Sequence, residues 1–429
     1  MLIRNAEVEG YGRVDVRVGG DGRIARIGAG LLRSAGEAEV DAGGGALLPG
    51  LHDHHVHLTA LAAEASSVRV GPVDVGGPGG FAAALRSGAP GEWVRAVGYH
   101  ESVAGDLDHR VLDAIVPDRP VRVQHRSGVM WFLNSAALRA AGLDGDGRLW
   151  REDERLRGVV PLVRLDLERV GRRAARRGVT GFTNADPNPA HGLGQTLSVL
   201  PQRLLVMGVD PPVKLVLDDT TLPSPAGLAD AVAAVRPRPV AIHCVTRVQL
   251  MVTLLALEET GGVEGDRIEH GSVIPAETIP WIRRLGVTVV TQPHFPVERG
   301  AEYAVDVRAD DQPHLYRCRS LADAGIPLAA GTDAPYGTDD PWAVMRAVVA
   351  RNDGESITAR GALGLFLGAS EQPARMRRLA VGEAADLCLL HVPLREALDV
   401  LSADVVRDAY VGGRRLTRCT RRPPRAPGP

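Results

Sequence analysis

Aromatic residues are scarce in this chain, only 4% of 429. There are four cysteines, no long apolar run, and no excess of charge of one sign. Each scarcity excludes something. With few aromatics, Val, Leu and Ala must fill the core. Cys244, Cys318, Cys388 and Cys419 are scattered without a Cys-x-x-Cys pair. They read as free thiols of a reducing cytoplasm, not as a disulfide framework. No apolar run approaches the ~20 residues of a membrane span, and Met1 to Val8 alternates like a strand, unlike the apolar core of a signal peptide. A formal net charge of -2 offers no basic field to nucleic acid. What remains is a chain that is 45% hydrophobic, long enough for one large α/β domain and a smaller one. Its expected partner is a small-molecule substrate, and the sequence leaves room for a homodimer.

Both ends are β-rich. Leu2 to Val8, Val14 to Val18 and Arg23 to Ile27 predict a meander, with Gly19-Gly20-Asp21-Gly22 as a tight turn. Strand patterns return at Ala385 to Leu390 and Val405 to Gly413, so residues 1–48 and 376–419 are expected to form one small β-sandwich. Residues 420–429, rich in Pro and Arg, read as a disordered tail. Across 49–375 apolar runs alternate with helical patterns. The runs that predict strands are Ala46 to Leu51, Val121 to Gln124, Gly181 to Asn184, Val213 to Leu217, Val240 to Cys244, Arg267 to Glu269, Val287 to Thr291 and Leu328 to Gly331. Eight such units predict an α/β fold, a (β/α)8 TIM barrel. Residues 59–120 exceed what one crossover needs and read as an insertion.

Six side chains fall at or near strand ends, where such a barrel builds its active site. His55 and His57 lie in Pro49-Gly50-Leu51-His52-Asp53-His54-His55-Val56-His57. Two apart on a strand, both imidazoles point the same way and can hold one cation. Lys214, His243, His270 and Asp333 each follow or end another apolar run. Imidazole and carboxylate suit zinc first and iron next, and two such ions held together activate a bridging water. A cationic lysine would repel them. Lys214 is therefore expected to be carboxylated, its carbamate bridging the two ions; the competing reading is a snorkelling lysine or a salt bridge. Alternation turns His52 and His54 away from the metals, and Asp53 is expected to support the site by hydrogen bonding. His100, Trp131, His294 and Tyr336 are candidate substrate contacts, with ordinary packing or a solvated loop as the alternative. His125 ends the presumptive second strand. Arg172-Arg173 and Arg176-Arg177 read as a solvated helix face.

With these residues in place, the chain resembles the amidohydrolase superfamily, in the branch that includes N-substituted formamide deformylases. The resemblance rests on the His-x-His run, Asn134-Ser135 after Trp131, Arg267-Ile268-Glu269-His270, Gln292-Pro293, Gly331-Thr332-Asp333-Ala334-Pro335 and Gly382-Glu383-Ala384-Ala385-Asp386. It implies the His pair on strand one, a bridging lysine on strand four, histidines on strands five and six, and an aspartate on strand eight. It also implies that Asp333 takes a proton from the attacking hydroxide and passes it to the leaving group. The chain departs from its relatives at Ser127-Gly128-Val129, where Asp-Gly-His is usual, and at Cys244-Val245-Thr246-Arg247 after the strand-five histidine.

The leading expectation is a binuclear metal-dependent hydrolase that cleaves a C–N bond of an amide, formamide or cyclic amide. The alternative is a non-heme diiron monooxygenase on the same ligands, hydroxylating an apolar small molecule. A mononuclear deaminase ranks lower, because no glutamate follows His243 closely. A metal-binding protein without catalysis ranks last.

Overall fold

The computed structural model describes residues 1–87, 93–156, 158–186 and 192–416. Cys419 and the expected tail at 420–429 lie outside them. The chain forms two compact units: Met1–Leu58 with the residues from Leu167 onward, and Thr59–Asp166.

The first unit holds eight parallel strands in two ladders. Leu51–Val56 pairs with Val179–Asn184, and that strand with Arg203–Val206. Val213–Val216, Val240–Cys244, Arg267–His270, Thr288–Thr291 and Leu328–Ala330 form the second ladder in chain order. Just beyond Ala330 the chain bonds back to the first ladder. Asp333 N donates to His55 O at 2.8 Å and His57 N to Ala334 O at 2.9 Å. Helices fill the crossovers. Arg247–Thr260 begins where the Thr246 hydroxyl caps Gln249 N at 3.2 Å and ends at Gly261, φ 73°. Its Leu250, Leu254 and Leu257 share one face and are buried in a cluster with Val240, Ile242, Ile268 and Val289. Each such leucine stabilises by about 1.5–3 kcal/mol. The buried members of this cluster include no aromatic residue, as the composition implies.

Both chain ends contribute four-stranded sheets. One has the order Ile24–Gly28, Gly12–Val18, Leu2–Val8, Glu39–Asp41; the other Arg414–Arg415, Val406–Val411, Leu387–Leu390, Leu47–Pro49. They share one core, in which Ile3, Val16 and Ile24 meet Leu47, Leu387, Leu389 and Tyr410. The expected turn is present, and Gly22 is required there: its φ is +75°, and a Cβ would stand 3.0 Å from Gly412 O.

The Thr59–Asp166 unit has its own five-stranded sheet, in the order Arg148–Trp150, Met130–Leu133, Val121–His125, Val94–Tyr99, Val68–Arg69. This corrects three expectations. Val121 to Gln124 is a strand, but of this sheet; the second parallel strand is Val179–Asn184 and the third Arg203–Val206. The expected first run splits at Gly50, so that Leu47–Pro49 joins a terminal sheet and Leu51–Val56 carries His55 within the strand. The inserted unit runs on to Asp166. Within it Asn134 explains the Asn-Ser motif structurally. Its Oδ1 accepts from Val121 N and Ala137 N, and its Nδ2 donates to Val116 O and Arg119 O, all at 2.8–2.9 Å. The arginines before Val179–Asn184 divide. Arg172 pairs with Glu168 in solvent, whereas Arg173 and Arg177 converge on Asp339.

Candidate metal centre

Asp333 is the hub. Its Oδ1 lies 3.2 Å from Nε2 of His57 and 3.7 Å from Nε2 of His55, and its Oδ2 3.9 Å from Nδ1 of His270. The His55 and His270 rings are 4.7 Å apart, and the His270 and His243 rings 4.5 Å. Lys214, partly buried on its strand, donates from Nζ to Ala185 O and feels the charges of Glu269, Asp333 and Asp186. Burial lowers its pKa. All six sequence-predicted ligands thus gather in the first unit.

Why they gather is partly a matter of broken alternation. On a regular strand Glu269 and His270 would face opposite ways. His270 instead has φ 68° and is followed by Gly271 at φ 54°, which turns its ring back. Asp333 adopts φ 52° just past the last parallel strand. Asp53 pins that bend: Oδ1 accepts from Thr332 N at 2.9 Å, and Oδ2 from the Thr332 hydroxyl at 2.5 Å. Asp53 therefore acts on the position of Asp333 through Thr332.

Sequence reasoning missed the residues beneath the candidate ligands. Glu269 takes Nδ1 of His55 on Oε2 and Nε of Arg267 on Oε1, and Arg267 NH2 donates to His54 O at 2.7 Å. Gln292 Oε1 lies 2.8 Å from Nδ1 of His270, and Asp186 3.5 Å from Nδ1 of His57. Such partners fix ring orientation and tautomer. The available signal was the spacing of Arg267 and Glu269, two apart and so on one strand face. Burial would raise Glu269, but Arg267 and His55 hold it down at about 2. Burial would likewise raise Asp333, yet His57, His270 and His55 keep it well below the usual carboxylate range. Burial lowers His55 to about 3 and His243 and His270 below the ordinary imidazole value. For His57, Asp186 and Asp333 outweigh burial and raise it.

Nε2 of His55 and Oδ1 of Asp333 are both buried without a hydrogen-bond partner. An orphaned imidazole nitrogen facing an orphaned carboxylate oxygen is costly unless a cation lies between them. The donor set fits a divalent metal, and His55, His57 and Asp333 present ligand atoms within 4.8 Å of one another. Around them, the Tyr336 ring stands 5.1 Å edge-on to His57. His294 is 1% exposed with neither ring nitrogen hydrogen-bonded, and burial lowers it to about 3. Other predicted residues have other partners. His52 bonds the Thr183 hydroxyl at 2.9 Å and packs its ring on His54. Trp131 and His100 belong to the Thr59–Asp166 unit, where Trp131 is buried with the guanidinium groups of Arg95 and Arg122 5.5 Å and 5.2 Å from its ring centroid.

No helix among the described residues is long and apolar enough to cross a membrane. The chain is 31% identical over 98 residues to a deacetylase of Agrobacterium fabrum, a match that covers 21% of this chain and 23% of that protein, so it spans under a quarter of the curated relative. Its fold is similar to two uncharacterized metal-dependent hydrolases. For the one from Pyrococcus furiosus the TM-score is 0.68 and the identity 21%, over 90% of this chain and 96% of that one. For the one from Pyrococcus horikoshii they are 0.71 and 18%, over 91% and 96%. At such identities the likeness is one of fold. The sequence model of the amidohydrolase family, however, matches residues 38–160 and 212–417, a span that includes all six predicted ligands. With most of its length so matched, the chain belongs to the amidohydrolase family.

Proposed function

We propose that this protein is a metal-dependent hydrolase with a two-cation centre that cleaves the C–N bond of an amide, formamide or cyclic amide. The observation that carries the reading is the buried, unpartnered Oδ1 of Asp333 among the imidazoles of His55, His57 and His270. In this reading the eight parallel strands close as a barrel and the terminal sheets form a sandwich. His55 and His57 would hold one cation, His243 and His270 the other, with carboxylated Lys214 between and Asp333 at the edge. When bound, such ions supply an acidified water and a Lewis acid for the substrate carbonyl. Asp333 accepts the proton of the attacking water at its carboxylate and returns it to the leaving nitrogen. Tyr336 and His294 flank the space beside Asp333 and would orient the substrate. Lys214 suits carboxylation because burial favours its neutral amine, the form that adds carbon dioxide with loss of one proton.

The test begins with metal content per chain, followed by hydrolysis of an amide and formamide library without oxygen. About two zinc ions with oxygen-independent turnover is the expected result. Two irons with oxygen consumed per turnover would replace hydrolysis by oxygenation. Separately, protein refilled in ¹³C-bicarbonate is expected to show a carbamate resonance that Lys214→Gln abolishes. Identical spectra from the two proteins would leave Lys214 an ordinary amine.

A further inference from the structure

The Thr59–Asp166 unit carries a second cluster of metal-ligating side chains. We propose that His100, Glu101 and His125 form a binding site for one borderline divalent cation of the zinc class.

Topology brings the two histidines together. His100 directly follows the strand Val94–Tyr99, and His125 ends the parallel neighbour Val121–His125, with Tyr99 paired to His125. The rings stand 5.8 Å apart. Each is held by the same local device, the serine two residues on. Nδ1 of His100 lies 2.9 Å from the Ser102 hydroxyl and 3.2 Å from its backbone N–H. Nδ1 of His125 lies 2.7 Å and 3.1 Å from the same groups of Ser127. With their Nδ1 sides engaged, both rings turn Nε2 toward a single oxygen, Oε2 of Glu101, at 3.7 Å from His100 and 3.2 Å from His125.

His125 Nε2 is within hydrogen-bond reach of Glu101 and His100 Nε2 is not, and both separations suit a shared cation. A distance of 3.2 Å is at the limit of an N–H···O bond and 3.7 Å is beyond it. Donor atoms bonded at ~2.0–2.2 Å around tetrahedral zinc stand roughly 3.4 Å apart, between the two values. The same pair, 3.2 and 3.7 Å, separates Asp333 from His57 and His55. Two imidazoles and one carboxylate suit a borderline ion, and three protein ligands leave a position for water or an incoming donor. In the metal-free rings Nδ1 accepts from the backbone N–H of Ser102 or Ser127; ligation through Nε2 moves the ring proton to Nδ1, which gives up that bond and donates instead to the serine hydroxyl, the outer contact that fixes a ligating ring. The imidazoles are 14% and 17% exposed and Glu101 is 52% exposed, so an ion reaches the cluster from solvent without unfolding.

The test is a zinc titration of the full-length protein against a chromogenic chelator, after its Asp333 centre has been filled and excess zinc removed. One further zinc per chain is expected. His125→Ala and Glu101→Gln should weaken that uptake at least ~100-fold, the upper end for loss of even an outer contact, while Asp333→Asn retains it. Cobalt in place of zinc gives a second readout, a visible band lost in His100→Ala. Glu101→Gln changes a half-exposed side chain, and an unchanged thermal melt of the metal-free protein shows that it folds. Equal uptake by the wild type, His125→Ala and Glu101→Gln would overturn the site and leave Glu101 as an ion-pair partner of His125. Loss in Asp333→Asn alone would overturn it too. Because these ions are counted apart from the Asp333 centre, failure of the hydrolase reading leaves the result unaffected.

Discussion

Asp333→Asn is expected to lower turnover by about 10³-fold, within the range for loss of a positioned proton acceptor, while the protein stays folded. The argument is local. Asp333 is the buried carboxylate that faces His55 and His57, and in the proposed reaction it is the group placed to take the proton of the attacking water. An amide of the same shape keeps the volume and leaves the backbone bond from Asp333 N to His55 O in place. The Asp53–Thr332 clamp is also untouched. What disappears is the negative charge and the ability to shuttle a proton. The check is kcat on the best amide substrate, beside thermal melting and metal content. If the Asn variant turns over within tenfold of wild type with its metal retained, Asp333 is not the shuttle.

Arg267→Met should cost about 3–5 kcal/mol, the penalty for stranding a buried charge. Arg267 is 1% exposed and Glu269 not at all, and the carboxylate is held ionised by Arg267 and His55. Removing the guanidinium also frees His54 O from a 2.7 Å bond. The second half of the prediction separates stability from site geometry. Arg267→Met combined with Glu269→Leu replaces the buried pair by apolar groups, which is often neutral, so the urea midpoint should recover most of its loss. Metal affinity should not recover, and should stay 10–100-fold weaker because His55 has lost the partner that orients it. Equal recovery of both would mean that Glu269 does not position His55.

Much of the centre was legible because strand periodicity is local. His55 and His57 two apart, and His243, His270 and Asp333 at the ends of apolar runs, needed no tertiary information. The runs from Val213 onward were placed in the right order for the same reason. The second and third strands were not. Val121-Arg122-Val123-Gln124 has the same alternation as a strand of the parallel set, and nothing local says which sheet it joins. Arg203–Val206 was passed over although it is four residues long, like the recognised Val213–Val216; it carries none of the candidate ligands that drew attention to the other runs. The supporting groups were illegible for a different reason. Glu269 reaches His55 across 214 positions; Asp53 was expected as a support, but its partner Thr332 lies 279 positions away. Pairings of that range are set by the fold, and a histidine that bends its own backbone, as His270 does, breaks the alternation rule by which a sequence is read.

The left-handed backbone at His270 and Asp333 also sets stability against chemistry. A non-glycine residue held at positive φ costs of order 1 kcal/mol, and glycine would relieve it at no steric cost. Glycine at φ 68° or φ 52° would therefore relax the backbone while removing an imidazole or a carboxylate from the candidate centre, so at these two positions the fold and the site pull in opposite directions.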